Sequence, residues 1–130
     1  MGLILSNYRL GGNNSEPEKG TLWPNAYCRF RAGGQDMRTP GGMSALLCVQ
    51  VWPSVVDYAA AKLGDATKAP LLEGEEQISI TDQADMAAML TGEFGDWTPP
   101  LDKAGKAIAG LQLLAAFAVR NMPRWQGVWE

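Results

Sequence analysis

The chain has 130 residues, of which 46% are hydrophobic and 19% are charged, with a formal net charge of −3 and no histidine. This length and apolar content predict one domain over residues 1–130 and argue against wholesale disorder. An acidic chain without a run of three basic residues is unsuited to phosphate backbones, so we expect no nucleic-acid partner. The absence of histidine excludes Ser-His and Cys-His nucleophiles and histidine-bearing zinc sites.

The first element is a predicted β-strand over residues 3–10, which opens with alternating apolar positions. Residues 11–20 are polar and contain glycine, asparagine, glutamate and proline, and they predict a loop. We expect this loop, with Asn13 and Asn14 near its start, to be either mobile or ordered by contact with a partner protein.

A regular period-two alternation predicts the next strand, over residues 26–31. Its two sides carry Ala26, Cys28 and Phe30 on one, and Tyr27, Arg29 and Arg31 on the other. This pattern is typical of a half-buried antiparallel strand. Residues 1–6 lack the cationic start and the apolar length of a secretory signal, so we expect a reducing compartment and predict that the two cysteines, Cys28 and Cys48, are reduced, buried apolar side chains.

Residues 45–52 form a second and more apolar predicted strand. The glycine-rich stretch over residues 33–42 connects it to the first, and it lacks the Gly-Lys-Ser/Thr ending of a phosphate-binding loop. We therefore predict a long hairpin tip, whose Gln35, Met37 and Arg38 are candidates for contact with a partner.

The middle of the chain predicts a short helix and a further strand. Residues 54–63 have an apolar stripe at helical spacing, preceded by Pro53 and followed by Gly64 as a cap. Residues 75–81 alternate again and predict a strand that returns beside residues 45–52.

Two helices are predicted in the last third of the chain. Thr81 or Asp82 caps the first, which ends at Gly92. The second is predicted over residues 101–121, and its apolar surface covers more than half of its circumference, so it lies in the core or is shared with another subunit. The longest apolar run, residues 113–119, is far shorter than the about 20 residues that a membrane span requires, so we expect no membrane partner.

Carboxylates are the remaining candidates for catalysis. Glu73, Glu75 and Glu76, with Asp82 and Asp85 beyond them, offer pairs for general acid and base chemistry. Such a role requires a buried acid with a raised pKa, whereas these residues lie in a polar stretch that favours a solvated face. We therefore predict no catalytic residue, no metal site and no cofactor.

The chain ends in an aromatic tail beyond Pro123, in which Trp125 and Trp129 are four residues apart. Chain ends tend to fray, and tryptophan is a frequent interface anchor, so these indoles either fold back onto their own domain or dock on a partner. The predicted partner-binding residues are Trp97, Trp125, Trp129, Asn13, Asn14, Gln35, Met37 and Arg38.

Residues 24–30 have the sequence PNAYCRF, and residues 47–54 have the sequence LCVQVWPS. An alanine-rich insert follows, with a proline–hydrophobic step at residues 69–71 and a strand over residues 77–81. This succession resembles small structural proteins of tailed bacteriophages. The resemblance covers residues 22–81 and implies a small β-rich structural or accessory subunit of the head, tail or baseplate, without catalytic residues.

We thus expect an α+β domain, with an antiparallel sheet or small sandwich and two or three helices, including a long C-terminal one. The expected function is a non-enzymatic subunit of a bacteriophage or phage-derived particle, located in the virion and bound to protein subunits as a homo-oligomer or within an assembly. The alternative is a small acidic inhibitor or immunity-type protein in the cytoplasm, steered towards one basic host protein.

Overall fold

The computed structural model of the protein describes residues 2–11, 20–33, 37–39, 42–72 and 76–130, and it describes only the backbone of residues 37–39 and 42–45. The strands are β1 (Leu3–Leu5), β2 (Tyr8–Leu10), β3 (Thr21–Trp23), β4 (Tyr27–Ala32), β5 (Met37–Thr39), β6 (Gly42–Trp52), β7 (Glu76–Ile80) and β8 (Gly127–Trp129). The helices are α1 (Val55–Lys62), α2 (Gln83–Thr91) and α3 (Gly110–Ala118), with a 3₁₀ turn over Pro123–Trp125.

An antiparallel sheet is built around β6, which pairs with β4 along one edge and with β7 along the other. Strand β5 pairs with the first residues of β6, while β1 and β8 extend the sheet beyond β4. The two chain ends therefore lie side by side, since β1 is hydrogen-bonded to β8. The α+β class and the antiparallel sheet are confirmed, and so is the predicted return of β7 beside β6.

The pairing register places the apolar side chains on one face of the sheet, because directly paired residues point to the same side. Phe30 is paired with Val49, and Cys28 is paired with both Leu3 and Val51. We call this the inner face. Helix α3 packs across the inner face against β4 and β7. The hydrophobic core also includes Leu3, Leu5, Tyr8, Cys28, Phe30, Leu47, Val49, Val51, Ile78, Trp125 and Trp129.

The single strand predicted over residues 3–10 is wrong. The chain breaks at Ser6-Asn7, and β2 leaves the main sheet to pair with β3 in a separate two-stranded sheet. Leu5 and Tyr8 are both fully buried, although an unbroken strand would point them to opposite faces. The break turns both side chains inwards, and the Ser6 N–H donates to Gln126 O at 3.0 Å.

The long helix predicted over residues 101–121 is also wrong, since only Gly110–Ala118 is helical. Asp102 Oδ1 accepts from the backbone N–H groups of Ala104 and Lys106, and this local turn competes with a helix. Gly105 and Gly110 have φ angles of 77° and 56°, outside the right-handed helical region. In the part of the chain that the structure describes, no helix has the length and hydropathy to cross a membrane.

Helix α2 confirms Asp82, one of the two residues predicted to cap it, whereas Ser54 caps α1 although it was predicted to be the first residue of that helix. Ser54 Oγ accepts from the Asp57 N–H at the start of α1, and Asp82 Oδ1 accepts from the Asp85 N–H at the start of α2, both at 3.1 Å. Helix α2 ends at Gly92 with a φ of 72°, as its glycine predicts.

Replacing Asp82 with alanine is expected to lower the free energy of unfolding by about 1 kcal/mol, because the N–H of Asp85 loses its acceptor. Thermal and urea unfolding measure this loss. Asp96→Ala removes the same charge from an exposed turn, and it should leave stability within about 0.5 kcal/mol of the wild type. Equal effects of the two substitutions would contradict the capping role.

Candidate protein-interaction surface

The face of the sheet opposite the core carries the other set of alternating β4 side chains, the one that begins with Tyr27. Tyr27 is paired with Trp52, and Arg29 is paired with Gln50, so these side chains share one side. Arg31 is paired with Cys48 on the same side. The predicted division of β4 into an apolar and a polar–aromatic side is thus confirmed, and we call the polar–aromatic side the outer face.

Helix α1 lies over the outer face through Tyr58. The Tyr58 ring centroid is 5.3 Å from that of Tyr27 and 5.6 Å from that of Trp52, which it meets edge-on. Two cations approach the same ring: Arg29 Cζ is 4.8 Å and Lys62 Nζ is 5.6 Å from its centroid. These contacts are cation–π interactions, and they hold both cations beside the aromatic cluster.

A groove of about 450 Å³ lies between α1 and the outer face. We call it the outer groove, and its walls include Arg29, Arg31, Gln50, Trp52, Tyr58 and Lys62. Three cationic side chains therefore converge on one site in a chain whose net charge is −3. A volume of this size is within the range of sites that hold a ligand or an anchoring side chain.

Hydrogen-bond donors outnumber acceptors in the outer groove. Gln50 Oε1 accepts from Trp52 Nε1 at 3.1 Å. Among the residues that the structure describes, Arg29 and Lys62 have no carboxylate partner, and the buried hydroxyl of Tyr58 has no hydrogen-bond partner. Arg29 and Lys62 thus present positive charge and N–H donors in the groove without a described carboxylate to neutralise them.

Helix α1 and its C-terminal cap residue Leu63 also carry an exposed apolar stripe. Val56 and Leu63 are 72% and 91% exposed, and Ala59 lies between them at helical spacing. We call these three residues the α1 stripe. No residue of α1 itself is fully buried, and its packing on the domain is made largely by Tyr58.

Trp125 and Trp129 lie in the core, each only 4% exposed. The Trp125 ring contacts that of Tyr8 at 5.7 Å, and the Trp129 ring stacks on Phe30 at 5.6 Å. Of the two alternatives stated for the tail, the structure shows that it folds back onto its own domain. Neither indole offers exposed area to a partner, so both are corrected from partner-binding to core residues.

Of the remaining predicted contact residues, the structure describes the side chain of Trp97 alone. Trp97 is half-buried and packs edge-on against Phe94 and Phe117. Met37 and Arg38 lie in β5, where only the backbone is described. The other three, Asn13, Asn14 and Gln35, lie outside the described residues.

The three described acidic residues among those considered for catalysis, Glu76, Asp82 and Asp85, each have a structural partner. Asp82 caps α2, and Asp85 accepts two hydrogen bonds from Arg120 Nη2, at 2.8 and 2.9 Å. Glu76 Oε2 is 3.7 Å from Arg124 Nη1. Glu73 and Glu75 lie outside the described residues. Within those that are described, no group of acidic or cysteine side chains could hold a metal ion.

The two cysteines are both buried but lie on opposite faces of the sheet. Cys28 is paired with Val51 on the inner face, and Cys48 is paired with Arg31 on the outer face. Burial, with a small contribution from Glu76, raises the pKa of the Cys28 thiol far above its usual range. This thiol is therefore a core side chain that stays protonated and unreactive.

Tyr27 connects the outer face to the C-terminus, because its hydroxyl donates to Glu130 Oε2 at 2.8 Å. Burial and this bond to a carboxylate raise the pKa of Tyr27 to about 12. The folded state therefore keeps a proton that the unfolded state begins to release near pH 10.

We expect the stability that Tyr27 contributes to be complete below pH 10 and to decline as the pH rises towards 12. Urea unfolding of the wild type and of Tyr27→Phe, measured from pH 9 upwards, tests this. The phenylalanine variant should be less stable at pH 9, and the difference should narrow as the pH rises. A constant difference across this range would contradict the raised pKa.

No protein-family model, curated protein or solved structure matches the chain.

The outer groove was not predicted, although part of its signal was in the sequence. The alternation of β4 placed Tyr27, Arg29 and Arg31 on one side, but nothing local indicated that Tyr58 would cover them. The missing information was the strand register and the docking of α1.

Proposed function

We propose that this protein is a non-enzymatic structural or accessory subunit of a bacteriophage or phage-derived particle, which acts by binding neighbouring protein subunits. The observation that supports binding most directly is the α1 stripe, in which Val56 and Leu63 are the most exposed large apolar side chains of their helix. The proposal of a phage particle rests on the resemblance carried by residues 22–81.

The α1 stripe favours a protein partner for an energetic reason. Covering apolar surface is worth about 25 cal/mol per Å² before the cost of association, and Val56 and Leu63 are mostly uncovered. An apolar stripe beside polar and charged side chains is typical of a helix that docks on another protein. Helix α1 has no buried residue of its own, so a partner would also stabilise it.

Quantitative mass spectrometry of gradient-purified particles tests the location. The chain should be present at a fixed ratio to the major structural protein. Its absence from particles would overturn the phage-subunit proposal. A monomer that binds one cytosolic protein in a one-to-one complex would favour the inhibitor interpretation instead.

Incorporation of variants tests the surface. Leu63→Asp places a charge on the α1 stripe and should reduce incorporation while leaving the melting temperature near that of the wild type, because Leu63 is 91% exposed. Leu90→Asp is the matched control, since Leu90 is 72% exposed on α2, away from the stripe. Equal incorporation of both variants would remove α1 from the binding surface.

A further inference from the structure

We infer that the outer groove binds a carboxylate-bearing segment of a neighbouring protein subunit, an inference that rests on the proposed protein-binding function. It adds the outer groove to the α1 stripe as a second docking surface and names the chemistry of the partner that fits this groove.

The charge of the groove indicates an anion. Arg29 and Lys62 contact the ring of Tyr58, and the structure describes no carboxylate bonded to either of them. Two nearby acids already have partners: Glu130 accepts from Tyr27, and Asp57 is paired with Lys68 at 3.0 Å. An arriving carboxylate would therefore find donors that the domain does not neutralise, and N–H donors on cations form the stronger hydrogen bonds to it.

The number of cations favours a protein carboxylate over a nucleic acid. Arg29 and Lys62 are two cations in a groove of about 450 Å³ and can neutralise one or two carboxylates. A nucleic-acid site usually tracks several phosphates along a basic surface, and this chain has more acidic than basic residues, 14 against 11. The overall charge of the chain is therefore unfavourable for a long polyanion.

The aromatic residues of the groove favour a protein partner as well. Tryptophan, tyrosine and arginine are the residues most enriched at energetic centres of protein interfaces, and Trp52, Tyr58 and Arg29 lie together here.

Titration with fluorescein-labelled hexaglutamate at low salt tests the groove, with hexaglutamine as the uncharged control peptide. Binding is followed by fluorescence anisotropy and by the indole N–H resonance of Trp52, which Trp52→Phe identifies. We expect this resonance to shift, because Trp52 Nε1 donates to Gln50 inside the groove. We also expect affinity to fall as salt is added.

Charge-neutralising variants locate the site. Arg29→Gln combined with Lys62→Gln should weaken hexaglutamate binding about tenfold. Lys103→Gln combined with Lys106→Gln is the matched control, since it removes the same charge from an exposed turn away from the groove. Circular dichroism and melting temperature verify that both double variants are folded.

Three outcomes would overturn the inference. They are no binding of hexaglutamate, equal loss of binding in the two double variants, and tighter binding of a single-stranded oligothymidylate than of the peptide at the same Trp52 resonance. None of these three outcomes depends on whether the chain is found in purified particles. A chain that is present in particles but does not bind hexaglutamate retains the proposed function and loses only this inference.

Discussion

Replacing Trp129 with alanine is expected to lower the free energy of unfolding by about 3–5 kcal/mol. The indole is 4% exposed and stacks on Phe30, which lies at the centre of the inner face. The backbone of Trp129 is paired with Leu3 in β1, and its carbonyl oxygen accepts from the Lys103 N–H. Truncation therefore leaves a cavity in the core beneath the last strand.

Urea unfolding of Trp129→Ala measures this loss, with Val128→Ala as the control on the same strand. Val128 is 54% exposed, and its truncation should cost no more than about 0.5–1 kcal/mol. The comparison also decides between the two roles considered for the tail. A stable Trp129→Ala monomer that has lost only its binding to other subunits would identify Trp129 as an interface anchor and contradict its place in the core.

Replacing Gly127 with alanine is expected to destabilise the protein by about 1–3 kcal/mol or more, through a steric mechanism. Gly127 is paired with Leu5, and a β-carbon at this position would overlap Ile4 O and lie 2.9 Å from Leu5 Cα. These are backbone atoms of β1, so no side-chain rotation relieves the overlap. Strand β8 would have to move away from β1, and the hydrogen bonds between the chain ends would weaken.

Denaturant unfolding and hydrogen exchange of the β1 amides measure this effect. Gly11→Ala is the control, because a β-carbon there meets no atom within 4 Å, although its φ of 94° makes the substitution strained. Its cost should be about 1 kcal/mol. If Gly11→Ala proved as costly as Gly127→Ala, with unchanged exchange in β1, the close approach of β1 and β8 would not be what requires glycine at position 127.

The predictions that were confirmed depend on neighbours in the sequence. The two sides of β4 follow from a period of two, which a half-buried strand obeys wherever it is placed. The start of α2 follows from Asp82, whose side chain accepts from a backbone N–H group three residues ahead. Gly92 ends α2 because its φ of 72° suits glycine.

The predictions that were wrong required a choice between two arrangements that local preference leaves close in energy. The apolar periodicity of residues 101–121 agrees with a helix, but the turn at Asp102 and the positive φ angles at Gly105 and Gly110 confine α3 to nine residues. Leu5 and Tyr8 are three residues apart, so one unbroken strand would point them to opposite faces of the sheet. Burying both side chains required a break in the strand, which alternation alone does not indicate.

Composition, alternation and capping chemistry were sufficient to establish an α+β domain with β4 divided into two faces and with the ends of α1 and α2 in place. The position of the tail and the existence of the outer groove came from contacts between distant residues, such as Trp129 with Phe30 and Tyr58 with Trp52. Such contacts depend on the free energy of the whole packed chain, because the gain from burying one indole is realised only when the strands beneath it are already paired.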